Sequence, residues 1–362
     1  MAAGRQAAAF CPAHITGFFK AFADSRGDGD RALRGEDRAD GMQEAGSTGA
    51  GFSLAVGVTT RVGLTDARGA GRLRGTGGAH APAVDADSTD GGGGTNSSSS
   101  TAPPYVITTT GYDTDDTTLS EITIRRFLQA AGRRGTAVPA GSVLDVRHEI
   151  SVPVGYGLGC SGAVALSLAY ALNDALGAGM TREELGGIAH AAEIECRTGL
   201  GDVLASYHGG FEVRIKPGAP GVGRVEAIPA GDVTVLVLCM APISTRRFIA
   251  ERLPHINGLG GKMIGRLRRS RDYAHFEDMS LEFAEYVGVV TPRMRRVISA
   301  LRGAGIRCGV ALFGETIFCM VEAGDAAEAR AEQILRNCGS GHVIKSRIDR
   351  RGARPLPGAR WR

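Results

Sequence analysis

The stretch Pro153-Val-Gly-Tyr-Gly-Leu-Gly-Cys-Ser-Gly-Ala163 decides how the centre of this chain folds. It follows residues 143–152, in which apolar and polar side chains alternate as in a half-buried strand. An apolar run at residues 163–176 comes next and predicts a buried helix. Glycines permit positive φ and close backbone approach, and the start of a helix carries partial positive charge. The turn between strand and helix therefore predicts a binding site for an anion such as a phosphate chain.

Residues 157–162 also fit the G-x-G-x-x-G pattern of dinucleotide-binding folds. Three observations disfavour that interpretation. The turn lies in the middle of the chain, and the helical run after it is apolar on nearly every face. Residues 177–181, where a ribose-binding acid would be expected, contain no acid. A tight glycine turn that binds no ligand is the other alternative.

The composition is that of a globular protein that suits small anionic molecules. The 362 residues suffice for two domains, and 42 Lys and Arg against 38 Asp and Glu give a net charge of +4. This excess is too small to indicate nucleic acid as a partner. No apolar stretch approaches the ~20 residues of a membrane helix, no signal peptide is evident, and the seven scattered cysteines are typical of reduced thiols. We therefore expect a cytoplasmic protein without nucleic-acid or membrane partners.

Mixed strand and helix patterns predict an α+β class with two subdomains. Residues 1–228 would form the N-terminal domain, 229–348 the C-terminal domain and 349–362 a solvated basic tail. Residues 67–104, rich in Gly, Ser and Pro, predict a disordered insertion, and residues 24–46 a long polar loop. The predicted strands are 52–62, 105–110, 143–152, 211–216, 233–240, 309–313, 316–321 and 342–348, and the predicted helices are 122–132, 163–176, 182–195, 245–252, 276–289, 292–302 and 326–337.

The central turn resembles the phosphate loop P-x-x-x-G-L-G-S-S-A-A of the GHMP kinases, the superfamily of galactose, homoserine, mevalonate and phosphomevalonate kinases. Cys160 stands in place of the first Ser and Gly162 in place of the first Ala. Residues 12–19 (PAHITGFF) are similar to the N-terminal motif of this superfamily, and residues 309–318 (GVALFGETIF) to its C-terminal glycine motif, which packs beside the active site. The resemblance implies a two-subdomain fold, with a ribosomal protein S5 domain 2-like N-terminal part and a ferredoxin-like α/β C-terminal part.

Four strings resemble one family within this superfamily, the archaeal pantoate kinases. They are residues 14–19 (HITGFF), 46–51 (GSTGAG), 193–203 (EIECRTGLGDV) and 209–223 (GGFEVRIKPGAPGVG). The resemblance implies phosphoryl transfer from ATP to (R)-pantoate, giving 4-phosphopantoate on the route to coenzyme A, and it allows a homodimer. Two alternatives stay open: another GHMP-type kinase acting on shikimate, mevalonate or homoserine, and a non-catalytic nucleotide-binding sensor on the same fold.

The phosphate-loop resemblance assigns ATP binding to the central turn. The residues concerned are Pro153, Gly155, Gly157, Leu158, Gly159, Cys160, Ser161, Gly162 and Ala163. Asp202 matches the catalytic Asp of the superfamily, which would accept the proton of the substrate hydroxyl. It follows a glycine-containing turn, residues 198–201, that can direct its side chain into a cleft. The alternative is an Asp that caps a short helical segment, residues 203–207.

Magnesium prefers hard oxygen ligands, usually one or two carboxylates together with phosphates and water. The resemblance makes the Ser161 hydroxyl one ligand, and the end of the predicted helix 182–195 supplies Glu193 and Glu195. These two residues flank the apolar stripe of that helix on opposite sides, so the helical period does not choose between them. Motif alignment places Glu193 first, and a solvated helix end is the alternative for either residue.

The resemblance assigns the substrate side of the site to His14, Thr16 and Gly17 of the N-terminal motif. His14 takes the place at which galactose and mevalonate kinases carry Arg or Lys, and a purely structural His is the alternative. The substrate carboxylate needs a cation, and Arg197, just after the metal-binding helix end, is our candidate. The arginine pair 246–247 is the alternative for this function, although solvated helix positions fit that pair better.

Overall fold

The computed structural model describes residues 6–22, 39–66, 105–112, 116–338 and 340–358. The predicted insertion at 67–104 lies outside the described residues, as does most of the predicted loop at 24–46. The end of that loop is a correction, because the structure forms a short helix α1 (Ala39–Glu44) and a strand that begins at Gly46. Gly46 pairs with Phe22 of the first strand, a long-range contact that local polarity does not reveal.

A seven-stranded sheet forms the first layer of the described fold. Its strands are β1 (Gln6–Phe22), β2 (Gly46–Asp66), β3 (Tyr105–Gly111), β4 (Ser142–Ile150), β5 (Phe211–Lys216), β6 (Arg224–Ile228) and β11 (Arg354–Pro355). The order is β11-β1-β2-β4-β3, and β5 joins β2 to β6. β1 and β2 pair antiparallel, with register shifts between Pro12 and His14 and between Thr16 and Phe18. Such shifts re-aim neighbouring side chains, here those of His14 and Thr16.

Four helices belong to this first part of the fold: α2 (Thr118–Gly132), α3 (Cys160–Leu176), α4 (Arg182–Cys196) and α5 (Asp202–His208). Helix α3 contacts β1, β2 and the other three helices, and nearly all of its side chains are buried. This position explains why its sequence is apolar on nearly every face. Helix α4 begins with a capping box, typical of the sequence Thr181-x-x-Glu184, in which these two residues each accept a hydrogen bond from the backbone of the other.

The second layer is a four-stranded antiparallel sheet with its own helices. Its strands are β7 (Val233–Pro242), β8 (Gly309–Ala311), β9 (Gly314–Glu322) and β10 (His342–Arg347), in the order β10-β7-β9-β8. Its helices are α6 (Thr245–Ser270), α7 (Tyr273–Val287), α8 (Pro292–Gly303) and α9 (Ala326–Cys338). The predicted division between residues 228 and 229 falls where the chain passes from the first sheet to the second. The predicted α+β class is confirmed.

The first helix after β7 is much longer than predicted. The expected helix at 245–252 continues to Ser270, although Pro254 lies inside it. A proline removes one backbone hydrogen bond, but the apolar stripe of this helix, which includes Ile256 and Met263, is fully buried. Helix α6 packs along β1, and this tertiary burial stabilises the helix through the proline.

The two sheets share one aromatic core. The ring of Phe52 in β2 lies 5.2 Å from that of Phe318 in β9 and 6.0 Å from that of Phe276 in α7. Phe211 of β5 packs on Phe276 at 4.8 Å, and each of these rings is buried. Because full burial of one such side chain contributes ~1.5–3 kcal/mol, this core holds the two layers together around the site between them.

The predicted tail, residues 349–362, is only partly solvated where the structure describes it, because Asp349, Gly352 and Ala353 are buried whereas Arg350 and Arg351 are exposed. The carboxylate of Asp349 is buried and accepts a hydrogen bond from the backbone N–H of Gly352 at 2.8 Å. Strand β11 then pairs with β1, and the guanidinium of Arg354 lies 4.7 Å from the ring centre of Phe10. The excess of basic residues in the tail did not predict this return to the first sheet, because a single buried acid, Asp349, organises the turn.

Candidate active site

The glycine-rich turn joins β4 to α3 through three glycines in left-handed conformations. Gly155, Gly157 and Gly159 have φ values of +85°, +74° and +60°, which residues with a Cβ rarely adopt. Gly159 is the N-cap of α3, and the backbone N–H of Ala163 is the first to bond back to it, at 3.1 Å. The N–H groups between them have no partner within the helix. These groups and the positive helix end suit a bound anion.

The predicted phosphate-binding residues all lie in this turn or in the first turn of α3. The side chains of Leu158 and Ala163 are buried in the core, so only their backbone can face a ligand. Burial raises the pKa of the Cys160 thiol to about 12. Cys160 therefore stays a neutral thiol, and its substitution for serine leaves the backbone cradle unchanged.

Three motifs that are far apart in sequence meet at the turn. The backbone N–H of His14 donates to the carbonyl oxygen of Leu158 at 2.9 Å. The hydroxyl of Thr316 donates to the carbonyl oxygen of Tyr156 at 2.8 Å. The N-terminal, central and C-terminal motifs therefore build one site, and the C-terminal motif packs beside the turn as the family resemblance implied.

A cavity of about 290 Å³ opens beside the turn. Thr16, Ser161, Arg197 and Asp202 are among the residues that line it. Arg197 is exposed and has a left-handed backbone, with φ of +57°. Gly17 instead packs against α7, where a Cβ on Gly17 would lie 2.5 Å from Phe276 Cζ. Of the predicted substrate residues, the structure thus brings Thr16 and Arg197 to the cavity and gives Gly17 a packing position.

Glu193 reaches the turn from the last turn of α4. The Ser161 hydroxyl donates to Glu193 Oε1 at 2.6 Å. The carboxylate is buried, and its Oε2 has no hydrogen-bond partner among the described residues. Burial, and then the nearby charge of Asp202, raise the pKa of Glu193 to about 8. A Cβ on Gly199 would lie 2.5 Å from Glu193 Oε1, so only glycine leaves room for this carboxylate.

These groups fit a magnesium ion that arrives with a nucleotide. Within the described ranges, no group of three or more His, Cys, Asp or Glu side chains could hold a metal ion by itself. Magnesium usually takes only one or two carboxylates and fills its remaining positions with phosphate and water oxygens. The unpartnered Oε2 of Glu193 and the Ser161 hydroxyl supply two hard oxygens beside the phosphate-binding turn.

Glu195, the other predicted carboxylate, has different partners. Its carboxylate forms ion pairs with Arg125 and Arg126 of α2, and Arg126 Nε lies 2.9 Å from its Oε2. Burial would raise the pKa of Glu195, but hydrogen bonds from these two arginines lower it. The geometry therefore favours Glu193 as the metal ligand and gives Glu195 a position that joins α4 to α2.

Asp202 is the first residue of α5, and the N-cap of that helix is Gly201. The Asp202 side chain does not cap the helix but turns towards the glycine turn, where a Cβ on Gly159 would lie 3.4 Å from Asp202 Cγ. Asp202 Oδ1 lies 3.3 Å from His14 Nδ1, and its side chain is 15% exposed. Burial would raise the pKa of Asp202, but the hydrogen bond and charge of His14 outweigh it and lower that pKa.

His14 is fully buried between two carboxylates. Its Nδ1 faces Asp202, and its Nε2 lies 3.2 Å from Glu212 Oε1. Burial would lower the pKa of His14, but the charge of Glu212 and the hydrogen bonds to both carboxylates raise it above its ordinary value. His14 therefore contacts Asp202 from behind and is not among the residues that line the cavity.

Sequence reasoning missed Glu212 and Arg214. Both lie on β5 with their side chains buried, Arg214 Nη1 donates to Glu212 Oε1 at 2.5 Å, and Arg214 Nη2 donates to the Thr16 hydroxyl at 3.3 Å. The Nε of Arg214 is buried without a hydrogen-bond partner among the described residues. Two charged residues two positions apart share one face of a strand, so the string FEVRIK did contain a signal of a buried ionic site.

A second cavity, of about 430 Å³, is also lined by Ser161. Both cavities are lined by Cys160, Ser161 and Thr198, so they flank the start of α3. The second cavity is also lined by Ile107 and by Ser120 of α2. The start of α3 therefore borders two neighbouring cavities, and the glycines of the turn and Asp202 line the first of them.

Comparisons with known proteins agree with this arrangement. Residues 119–210 match the GHMP kinases N terminal domain. The pantoate kinase of Methanocaldococcus jannaschii is 30% identical to the chain over 195 residues, which make up 53% of this chain and 70% of that protein. The chain belongs to the pantoate kinase family of GHMP kinases. Another relative of this GHMP kinase, the pantoate kinase of Thermococcus kodakarensis, is 30% identical over 194 residues, or 53% of this chain and 63% of that protein. The homoserine kinase of Natranaerobius thermophilus is 25% identical over 217 residues, or 56% and 67% of the two chains.

Solved structures share the fold of this GHMP kinase, as their coverage and TM-scores show. A phosphotransferase related to the CoA biosynthesis pathway has a TM-score of 0.71 at 22% identity and covers 98% of this chain and 99% of its own. The mevalonate-3-kinase of Thermoplasma acidophilum has a TM-score of 0.60 at 14% identity, with coverage of 98% and 99%. Among the described helices, none combines the length and hydropathy needed to cross a bilayer.

Proposed function

We propose that the protein is a pantoate kinase, which converts ATP and (R)-pantoate to ADP and (R)-4-phosphopantoate in coenzyme A biosynthesis. One observation carries this proposal: the carboxylate of Asp202 lies beside the N-terminus of α3, in the wall of a cavity of about 290 Å³. Family membership, through relatives that are themselves pantoate kinases, supports the choice of substrate.

The nucleotide would bind through its phosphates to the glycine turn, residues 153–163. The free N–H groups at the start of α3 and the positive φ of three glycines support this placement. The neighbouring cavity of about 430 Å³, which Ser161 also lines, has the volume for a nucleoside. Ser161 and Glu193 would hold Mg²⁺, which, when bound, neutralises charge on the phosphates.

The acceptor would enter the cavity that Asp202 lines. The oxygen of its primary hydroxyl attacks the γ-phosphorus of ATP, its proton passes to an Asp202 carboxylate oxygen, and the bond between the γ-phosphorus and the bridging oxygen breaks to release ADP. Asp202 suits this reaction because its lowered pKa keeps it ionised and able to accept the proton at neutral pH.

The carboxylate of pantoate needs a cationic partner. Arg197 lines the acceptor cavity and is exposed to it, so it is the first candidate. Arg214 is the second, because its buried Nε has no partner among the described residues and its Nη2 contacts Thr16 of the same cavity. Arg247 of α6 is exposed and paired with Glu251, and we assign it no function in substrate binding.

We place the enzyme in the cytoplasm, with ATP and pantoate as its small-molecule partners and no nucleic acid or membrane partner. The scattered thiols and modest net charge support this assignment. A homodimer is compatible with it, and size-exclusion chromatography with light scattering measures that state directly.

The deciding experiment measures ADP release from the purified protein with Mg²⁺-ATP and a panel of hydroxy acids. Pantoate, homoserine, mevalonate and shikimate are compared at equal concentrations. ADP release that depends on pantoate, with much slower release for the other acceptors, supports the proposal. Faster turnover of another acceptor would replace pantoate as the substrate, and nucleotide binding without turnover of any acceptor would favour the sensor alternative.

A further inference from the structure

Four polar side chains form a continuous buried line behind the catalytic carboxylate. Asp202 Oδ1 lies 3.3 Å from His14 Nδ1, His14 Nε2 lies 3.2 Å from Glu212 Oε1, and Arg214 Nη1 donates to that same oxygen at 2.5 Å. His14, Glu212 and Arg214 are each no more than 1% exposed. The line joins three elements, β1, β5 and α5, and ends at the cavity only at Asp202.

The charges along this line balance. A buried charge without a partner is very costly, whereas paired buried charges with good hydrogen bonds are tolerated. Glu212 balances the guanidinium of Arg214, and Asp202 would balance a protonated His14 in the same way. These are also the ionisable groups that face His14: Asp202 from α5, and Glu212 and Arg214 from β5. The Thr16 hydroxyl is 3.4 Å from His14 Nδ1.

The imidazole ring has little freedom in this position. On β2, a Cβ at Gly51 would lie 2.6 Å from both Cε1 and Nε2 of His14, so the backbone of that strand packs directly on the ring. The turn approaches from another side, where a Cβ at Gly159 would lie 3.2 Å from His14 Cβ. Packing thus confines the ring, with Nδ1 facing the carboxylate of Asp202 and Nε2 facing that of Glu212.

We propose that Glu212 is a positioning residue, which acts through His14 to hold the Asp202 carboxylate towards the phosphate-binding turn. Glu212 accepts from His14 Nε2, so the other nitrogen is oriented to donate to Asp202. The raised pKa of His14 agrees with this arrangement, since a protonated imidazole donates from both nitrogens. Arg214 completes the arrangement by holding Glu212 in place. The inference rests on the proposed function, because it assigns a task to the base of that reaction.

The first test is the steady-state kinetics of Glu212→Gln with Mg²⁺-ATP and pantoate. We expect kcat to fall about tenfold to a hundredfold, the loss typical of an outer-shell partner, with the KM for ATP and for pantoate changed less than about twofold. His14→Asn should show the same split while leaving the Glu212–Arg214 ion pair in place. Because the two residues act on Asp202 through one contact, the double variant should be little worse than either single variant.

Asp145→Asn is the matched control. Asp145 is a buried acid that pairs with the arginine two residues later on its strand, Arg147 Nη2 to Asp145 Oδ2 at 2.8 Å, as Glu212 does with Arg214. It lies on β4, outside the site, so kcat should be unchanged. The proposal is overturned if Glu212→Gln keeps its kcat, or if the kcat losses of Glu212→Gln and His14→Asn multiply in the double variant. It is also overturned if the defect of Glu212→Gln is confined to the KM for pantoate, because that would indicate displacement of Arg214 from the substrate.

A second test needs no turnover and so separates this inference from the choice of substrate. The imidazole signals of His14 are followed by NMR against pH in the wild type and in Glu212→Gln. We expect a His14 pKa above the ordinary value in the wild type and a lower one in the variant, with His148 and His190, whose pKa values Glu212 does not influence, unchanged. Equal His14 titrations would overturn the proposal even if pantoate is turned over. A lowered His14 pKa would support it even if another acceptor proves to be the substrate.

Discussion

The Ser161 hydroxyl donates a 2.6 Å hydrogen bond to Glu193 Oε1 and so joins the first turn of α3 to the last turn of α4. The two residues are 32 positions apart. This bond draws a buried carboxylate to the edge of the phosphate-binding turn and leaves its second oxygen without a partner among the described residues. The turn that we propose to bind phosphate and the carboxylate that we propose as a metal ligand are thereby held together, which is the preorganisation that phosphoryl transfer requires.

Asp202→Asn removes the proposed base but keeps its shape. Turnover should fall by at least about a hundredfold, the lower end of the contribution of a well-placed general base. Binding of a non-hydrolysable ATP analogue, measured by calorimetry, should be unchanged because the backbone of the turn is intact. Near-normal turnover in this variant would remove Asp202 from the mechanism.

Glu193→Gln removes one hard oxygen charge from the proposed metal site. The Mg²⁺ concentration that gives half-maximal velocity should rise by about tenfold or more, since even outer-shell losses cost that much in metal affinity. The same change at Glu195 should leave the Mg²⁺ requirement unaltered, because that carboxylate is held by Arg125 and Arg126. If the Glu195 variant showed the larger shift, the assignment of the two carboxylates would have to be exchanged.

Gly157→Ala tests the packing of the turn against the C-terminal motif. A Cβ there would lie 1.9 Å from the carbonyl oxygen of Leu312, at a φ of +74°. We expect a marked loss of thermal stability and of affinity for the ATP analogue. Gly141→Ala is the control, because Gly141 has nearly the same φ, +76°, with nothing within 4 Å. It should show only the backbone cost of a left-handed alanine, about 1–2 kcal/mol. Equal effects at the two positions would mean that the contact with Leu312 contributes nothing.

Glu277→Gln should change how stability depends on pH. Glu277 of α7 is buried with Oε1 accepting from the Met320 backbone at 2.8 Å, and burial raises its pKa to about 8. Between about pH 4.5, its pKa when unfolded, and pH 8, the folded state keeps a proton that the unfolded state has lost. Stability of the wild type therefore falls as pH rises through this range.

Glutamine cannot ionise, so the variant should gain stability relative to the wild type as pH rises from 5 to 8. Urea unfolding of both proteins at pH 5, 6.5 and 8 measures this difference. Glu282→Gln, an exposed position on the same helix, should leave the difference nearly independent of pH. Parallel pH profiles for the wild type and Glu277→Gln would contradict the expectation.

Replacement of residues 67–104 by a short Gly/Ser linker should leave folding and activity largely intact. The segment connects the end of β2 to the start of β3, and both strands flank β4, where Leu64 and Tyr105 each pair with Leu144. Two strand spacings are only ~10 Å, and about six flexible residues span that distance. Thermal unfolding and ADP release check the result. Loss of soluble protein would show that the segment contributes to the fold.

Local sequence patterns predicted much of the fold and part of the candidate site. The positive φ values at Gly155, Gly157 and Gly159 are a backbone requirement that only glycine meets easily, so the turn was readable as a phosphate site. The apolar run of α3 and the capping box at Thr181 are local signals of the same kind, and both were found in the structure. The predicted helix at 245–252 ended too early, because the tertiary burial that stabilises helix α6 beyond Pro254 has no local sequence pattern.

The sequence by itself determined the glycine-rich turn and the α+β class, because these depend on residue type and spacing over a few positions, and the family resemblance of its motifs made Asp202 a candidate base. Motif alignment already placed Glu193 before Glu195, but only the tertiary structure gives the physical reason, because it pairs Glu195 with arginines from α2 that the helical period of α4 cannot reveal. Only the tertiary structure placed Glu212 behind His14, 198 residues away. Contacts of such sequence separation arise from how β1 and β5 both flank β2, and no local pattern in either strand contains that information.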